Sequence, residues 1–224
     1  MSSYFQVSVT LLNGLPETLS LLIASFFFAS LIGLGMAWLY LRKNPILSAL
    51  AKFYLGIVRG TPPLLMLLLS YFGLPKLFTL VGININDWAK IFFGIVGLSI
   101  GWGAYLEEAF RSAYLSVDKG QYEAALSVGM DAKHAFFQIL MPQTFLIALP
   151  NIENLLIGLV KATSLVYVMG MVDMYSEATD LSNQNQGIYQ LEIFIILALL
   201  YWLIVLLIEW VFRMFHRYYR YVEI

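Results

Sequence analysis

The sequence predicts an all-α integral membrane protein with five transmembrane helices, the N-terminus outside and the C-terminus cytoplasmic. Three observations carry that expectation. The 224 residues are 60% hydrophobic and only 12% charged, with a mean hydropathy of +0.78, far from the balance of a soluble domain. Apolar runs recur at lengths that suit membrane-crossing helices. Lys and Arg collect in alternate connections between those runs, as they do on the cytoplasmic side of a membrane.

The first run, Thr18 to Leu41, carries no charge. As a helix it would rise about 36 Å, more than the roughly 30 Å hydrocarbon core. The second, Gly60 to Pro75, is short and reaches spanning length only by extending back through "AKFYLGIV" past Arg59. The third centres on Ile91 to Leu106 and the fifth on Ile193 to Ile208, with Trp88, Trp210 and Phe212 placed for the interfaces. The fourth, Thr144 to Val160, is weakened by Pro150, Asn151, Glu153 and Asn154. Approximate spans are therefore 17–41, 53–75, 88–110, 143–161 and 191–213 within one transmembrane domain covering 1–224.

Charge decides the orientation and rescues the fourth span. Arg42, Lys43, Lys52 and Arg59 follow the first span, Arg111, Lys119 and Lys133 the third, and Arg213, Arg217 and Arg220 the fifth, out of 13 basic residues in all. Lys76 and Lys90 fall on the other side, with Lys161 at a helix end, while Asp173 to Glu192 holds acids and no base. Four spans would strand the basic tail outside. "TSLVYVMGMVDMYSEA", Thr163 to Ala178, is apolar only as far as Asp173 and reads as an interfacial or re-entrant piece on the outer side.

Several function classes are excluded by what is missing. With zero Cys, and with only His134 and His216 far apart, there is no thiol chemistry, no disulfide frame and no metal constellation. A net charge of -1 gives no field for nucleic acid. Residues 1–17 lack the basic start of a secretory signal.

The charged stretch "DKGQYEAALSVGMDAKHAFFQILMP", Asp118 to Pro142, lies amid this apolar chain. Asp118 with Gln121 suits a capping pair, Gly129 a left-handed stop, and Asp131 a second cap for "AKHAFFQIL", with Pro142 opening the fourth span. Two short amphipathic helices joined by a tight Gly turn would project into the cytoplasm over 118–142. The alternative is an ordinary solvated loop, but such a loop has no need of two capped helices in series.

"EAALSVG" at Glu123–Gly129, followed after nine residues by "ILMP" at Ile139–Pro142, resembles the EAA loop of binding-protein-dependent ABC importers. One position departs from that pattern, with Met141 in place of Leu. "RGTPPLLMLLLSYFGLP", "AYLEEAFRSAYLSVDKGQYEAA" and "LPNIENLLIGLVKATSL" are similar to the polar amino acid permeases of that superfamily. The resemblance implies a type I ABC importer permease fold in a bacterial cytoplasmic membrane. It also implies a second permease copy (homodimer or heterodimer), two cytoplasmic ATP-binding subunits, an extracytoplasmic solute-binding protein and an amino acid as cargo. Glu123, Ala124, Ala125 and Gly129 match the ATPase-coupling positions. ATP would then be bound by the partner, not by this chain, whose sequence holds no G-x-x-x-x-G-K-[ST] phosphate loop.

Charges inside spans are costly and mark cavities or partners. Arg59 precedes "GTPP", where Pro62 and Pro63 free backbone carbonyls; it lines a broken-helix site or snorkels to the interface. Glu107, Glu108 and Arg111 can pair along one helix, with Glu107 an extra charge relative to the resembling family. Glu153 and Asn154 are candidates for the solute path, Glu153 alternatively pairing with Arg59 or Lys161. Gly97 and Gly101 make a G-x-x-x-G spacing suited to close helix packing. Catalytic and metal sites are expected to be absent. A non-transporting membrane scaffold or a secondary transporter subunit remains the alternative function.

Overall fold

The computed structural model describes residues 4–220, with side chains through Arg217. Residues 1–3, part of the 1–17 stretch read for a secretory signal, residues 221–224, and the side chain of Arg220, used in the charge argument, lie outside the described residues. Everything described is helix or connection.

Helix α1 (Tyr4–Leu12) leads into α2 (Leu15–Tyr40), which Asn44 separates from α3 (Pro45–Gly60) by capping Ile46 N at 2.9 Å. Then come α4 (Pro63–Leu68), a wide π turn (Leu69–Gly73) and α5 (Leu74–Thr79). The chain continues through α6 (Lys90–Ser116), α7 (Lys119–Ser127) and α8 (Ala132–Ala135), and a second π turn (Phe136–Leu140) joins α8 to α9 (Met141–Thr163). A tight helical turn at Ser164–Met169 precedes α10 (Met174–Gln184) and α11 (Gln190–Arg220).

At the centre stands α6, packed against α2 along most of its length and against α9, α4 and α3 on its other sides. Leu98, Trp102 and Leu106 of α6 are buried with Leu21 of α2 and Leu159 and Val160 of α9. Lipid tails are as apolar as leucine, so association of these helices rests on close contact rather than on removal from water. Small residues provide that contact. A Cβ at Gly33 would sit 2.9 Å from the backbone nitrogen of Glu107, and one at Gly103 would sit 2.7 Å from Ile32 Cγ2. The G-x-x-x-G expectation is corrected in detail. Gly97 faces α4, where a Cβ would lie 2.9 Å from Ser70 Oγ, whereas a Cβ at Gly101 would meet nothing within 4 Å. The two glycines do not form one packing seam.

Among the described residues, Leu15–Tyr40, Ala132–Met169 and Gln190–Arg217 are each long and apolar enough to cross a membrane. Helix α6 is less apolar because helices cover most of its sides, and it has no need of a lipid-facing surface all round. The expected second span, 53–75, is not one straight helix. Pro45–Gly60 and Pro63–Thr79 meet at 109°, because Thr61 and Pro62 adopt extended conformations ahead of the two prolines.

Both π turns lie just ahead of a proline, Pro75 in one case and Pro142 in the other. A proline inside a helix lacks an N–H and its ring collides with the carbonyl four residues back. A widened turn there relieves the collision and lets the helix continue. Pro142 therefore does not open a new helix as the sequence suggested. "AKHAFFQIL" is the first part of a helix continuous with α9.

The piece after α9 turns at Gly170, whose φ of 69° is left-handed. Asp173 then caps α10, accepting from Ser176 N at 2.9 Å, while Met174 N donates to Thr18 Oγ1 at 3.2 Å and fixes the piece to α2. Helix α1, unforeseen from the sequence, packs on α10 and α11 through Val7 and Leu11.

Candidate functional site

Helix α7 is closed at both ends by its own sequence. Asp118 Oδ1 accepts from Gly120 N at 2.9 Å. At the other end Gly129, at φ 89°, lets Met130 N reach Ala125 O at 3.1 Å, the six-residue closure of a Schellman cap. Asp131 then accepts from Lys133 N and His134 N, both at 2.9 Å, and pairs with the ring of His134. These hydrogen bonds from His134, backbone first, hold the Asp131 carboxyl below its ordinary value. The expected capping role of Gln121 is corrected. Its Oε1 accepts instead from Gln143 Nε2 at 2.7 Å, which ties α7 to the start of α9.

The coupling candidates divide by exposure. Glu123, Ala124 and Gly129 are exposed, whereas Ala125 is buried and seats α7 on the helix behind it. Glu123 borders a cleft of about 290 Å³ with Lys119, Tyr122, Tyr114 and Phe136. Apolar Leu126 and Val128 are exposed, Val128 at 83%. A short, doubly capped helix thus presents a carboxylate, a small Ala and two uncovered aliphatic side chains.

A second concavity, about 320 Å³, runs between α6 and α9 and is lined by Tyr105, Glu108, Ser112, Asn151, Asn154 and Leu155. Glu108 Oε2 in its wall meets Arg59 Nη1 at 2.9 Å. Two of the three path candidates therefore converge here: Asn154 lines the groove, and Arg59 reaches it through Glu108. Glu153 does not line it. It lies two positions from Asn151 and one from Asn154, so the helical period turns it away from that wall. The alternative ion pair of Glu153 with Arg59 or Lys161 is not formed among the described residues, and Arg59 is engaged by Glu108 instead.

The neighbouring carboxylate goes the other way. Glu107 is fully buried, accepts Arg111 Nε at 2.8 Å, and leaves its second oxygen without a partner among the described residues. The Arg111 guanidinium in turn covers the Tyr40 ring at 4.4 Å, joining α6 to the end of α2. Sequence reasoning missed Tyr105, Ser112 and Asn151 as lining residues. The i, i+3 spacing of Asn151 and Asn154 on a spanning helix was the available signal.

A family model described as the binding-protein-dependent transport system inner membrane component matches residues 29–221. The probable amino-acid permease protein YxeN of Bacillus subtilis (strain 168) is 37% identical over 93% of this chain and 90% of its own length. The L-cystine transport system permease protein TcyL of the same organism is 35% identical, covering 91% of this chain and 84% of its own length. A crystal structure of an amino acid ABC transporter with histidines superposes with a TM-score of 0.79 at 30% identity, over 93% of both chains. An inward-facing methionine ABC transporter structure, MetNI, shares the fold with a TM-score of 0.73 at 22% identity, over 93% of this chain and 95% of that one.

Proposed function

The chain belongs to the inner-membrane components of binding-protein-dependent transport systems, and from that premise we propose that it is the permease subunit of an ATP-driven amino acid importer, coupled to its ATPase through α7. The observation that carries the coupling role is the exposed, doubly capped helix bearing Glu123 and Ala124 beside the cleft. A helix fixed at both ends and tied to α9 by Gln121 and Gln143 transmits displacement to the spans, where a floppy loop would absorb it. Glu123 meets the partner, Ala124 permits close approach, Ala125 seats the helix, and Gly129 supplies the turn.

Five spans with the N-terminus outside put α7 in the cytoplasm, on the side of the ATP-binding subunits. ATP binds and is hydrolysed there, so this chain is a transport subunit rather than an enzyme. A second permease copy completes the path, and an extracytoplasmic binding protein delivers the amino acid. Names of the relatives support amino acid cargo, cystine among them. The α6–α9 groove, with Asn154 and the Arg59–Glu108 pair in its wall, is our candidate for the path. Glu153, the third residue named for the path, does not line this groove.

The test is copurification. Tagged chain extracted in mild detergent should bring down a P-loop ATPase in stoichiometric amount, and Glu123→Lys should lose it while inserting normally. Recovery of no ATPase, under conditions that preserve a known importer, returns the chain to the scaffold reading.

A further inference from the structure

Helix α3 has two apolar sides, and only one is used inside the protein. Ala51, Leu55 and Val58 are buried, the latter two against Ala104 of α6. On the opposite side Ile46, Leu50, Phe53 and Ile57 recur at helical spacing and are exposed at 70%, 57%, 68% and 52%. Between that stripe and the flank carrying Lys52 stand Ala49 and Gly56, and a Cβ at Gly56 would meet nothing within 4 Å.

Charge at this corner is one-sided. No Asp or Glu occurs in the sequence between Glu17 and Asp87. Arg59 is matched by Glu108 across from it, and Glu107 by Arg111. Arg42 lies 3.9 Å over the Trp38 ring and Lys52 5.4 Å over Tyr40, while Lys43 is exposed. Among the described residues none of Arg42, Lys43 and Lys52 has a carboxylate partner.

We propose that α3 and the α2–α3 joint form a docking surface for anionic phospholipid, with Ile46, Leu50, Phe53 and Ile57 in the acyl boundary and Arg42, Lys43 and Lys52 on the lipid phosphates. Position and shape both suit this. Helix α2 ends its apolar run at Tyr40, so the joint lies at a membrane face, and the 109° bend turns α3 away from the direction of α4 and α5. A helix lying along that boundary buries one face about 5–10 Å deep and keeps its bases at the headgroups. The aromatic rings under Arg42 and Lys52 are of the kind that settle at the same level. Lipid explains the unmatched cations as well as the stripe. A second copy of this chain would bring the same excess of positive charge to the contact.

The test uses the full chain in nanodiscs of phosphatidylcholine containing graded phosphatidylglycerol. The chain has no Cys, so Leu50→Cys takes a single nitroxide without further change. The label should be accessible to dissolved oxygen and shielded from an aqueous nickel chelate. Fluorescent phosphatidylglycerol should be enriched around the chain over phosphatidylcholine, and each of Arg42→Gln, Lys43→Gln and Lys52→Gln should cut the enrichment by about fivefold at low salt, less at high salt. Inorganic phosphate should not compete. Unchanged thermal unfolding of the variants in neutral detergent separates lost lipid contact from lost folding, since Tyr54 Oη on Ile100 O and the Arg59–Glu108 pair are untouched. Wild-type enrichment in the triple variant, competition by free phosphate, or a label at residue 50 covered by protein would each overturn the proposal. The measurement needs neither an ATPase nor a particular orientation, so its failure is distinct from failure of the importer reading.

Discussion

Glu107 and Glu108 are adjacent, yet successive helix positions differ by about 100° and place them in different worlds. Glu108 meets Arg59 with both side chains more than two-fifths exposed, at 43% and 44%. Such a pair is worth at most about 1 kcal/mol, so Glu108→Gln should leave thermal stability nearly unchanged. Because Glu108 lines the groove, the same variant should alter the concentration dependence of uptake by the assembled importer; unaltered uptake kinetics would remove the groove from the path. Glu107 is buried, and there the order of damage is informative. Glu107→Gln keeps an oxygen for Arg111 Nε, whereas Glu107→Ala leaves that guanidinium unmatched. The Ala variant should therefore melt lower than the Gln variant. The sequence made the pairing alternatives visible, but not which carboxylate would be buried. That choice depends on Gly33, whose missing Cβ lets α2 come against the Glu107 backbone. Gly33→Ala should cost about 1–3 kcal/mol by overpacking, read as a fall in melting temperature.

At the scale of elements, local chemistry was legible and long-range direction was not. Asp118, Gly129 and Asp131 stop and start helices through hydrogen bonds to their own neighbours, and such bonds can be read from spacing. The bend after Gly60 was only half legible. "GTPP" announces a break, but its angle is set by the packing of α3 and α4 on α6. The π turns were invisible, since they arise from the conflict between a proline and a helix that tertiary contacts keep continuous. Gly129→Val tests the element that matters most. Placing a β-branched residue at φ 89° costs on the order of 1–2 kcal/mol locally, enough to unwind the end of a nine-residue helix. Uptake and ATPase recovery should fall together while the chain still inserts. Normal coupling in this variant would mean that α7 need not be rigid. Acid should act on the next cap in a defined window. Because Asp131 is held below its ordinary 3.8, its contribution is present above that value and is lost only as pH falls through the lower folded value. The start of α8 should thus stay protected from hydrogen exchange at pH 5, and Asp131→Asn should remove any acid-dependent fraying.

For the whole molecule, the fold class was legible because membrane burial imposes long apolar runs and an uneven distribution of bases, and both are properties of sequence alone. The central helix keeps an apolar run from Ile91 to Leu106 although, surrounded by other helices, it tolerates Gly, Ser and Glu at positions where lipid would reject them; the fourth span was the hardest to see by hydropathy, because Pro150, Asn151, Glu153 and Asn154 interrupt it. Orientation and number of crossings hinge on one element, the stretch Pro63–Thr79 after the bend. If it crosses, Asn84 lies outside and Ser127 inside; if it turns back, every later segment changes sides. Single cysteines at Asn84, Ser127 and Asn185, introduced into this Cys-free chain and probed in intact cells with a membrane-impermeant maleimide, separate the two arrangements. Labelling at 84 and 185 with protection at 127 is the expected pattern, and it puts Glu123 on the side where ATP is available. The reverse pattern would place α7 outside the cell, where no ATP-binding subunit can reach it, and the coupling role of Glu123 would fall with the five-span arrangement.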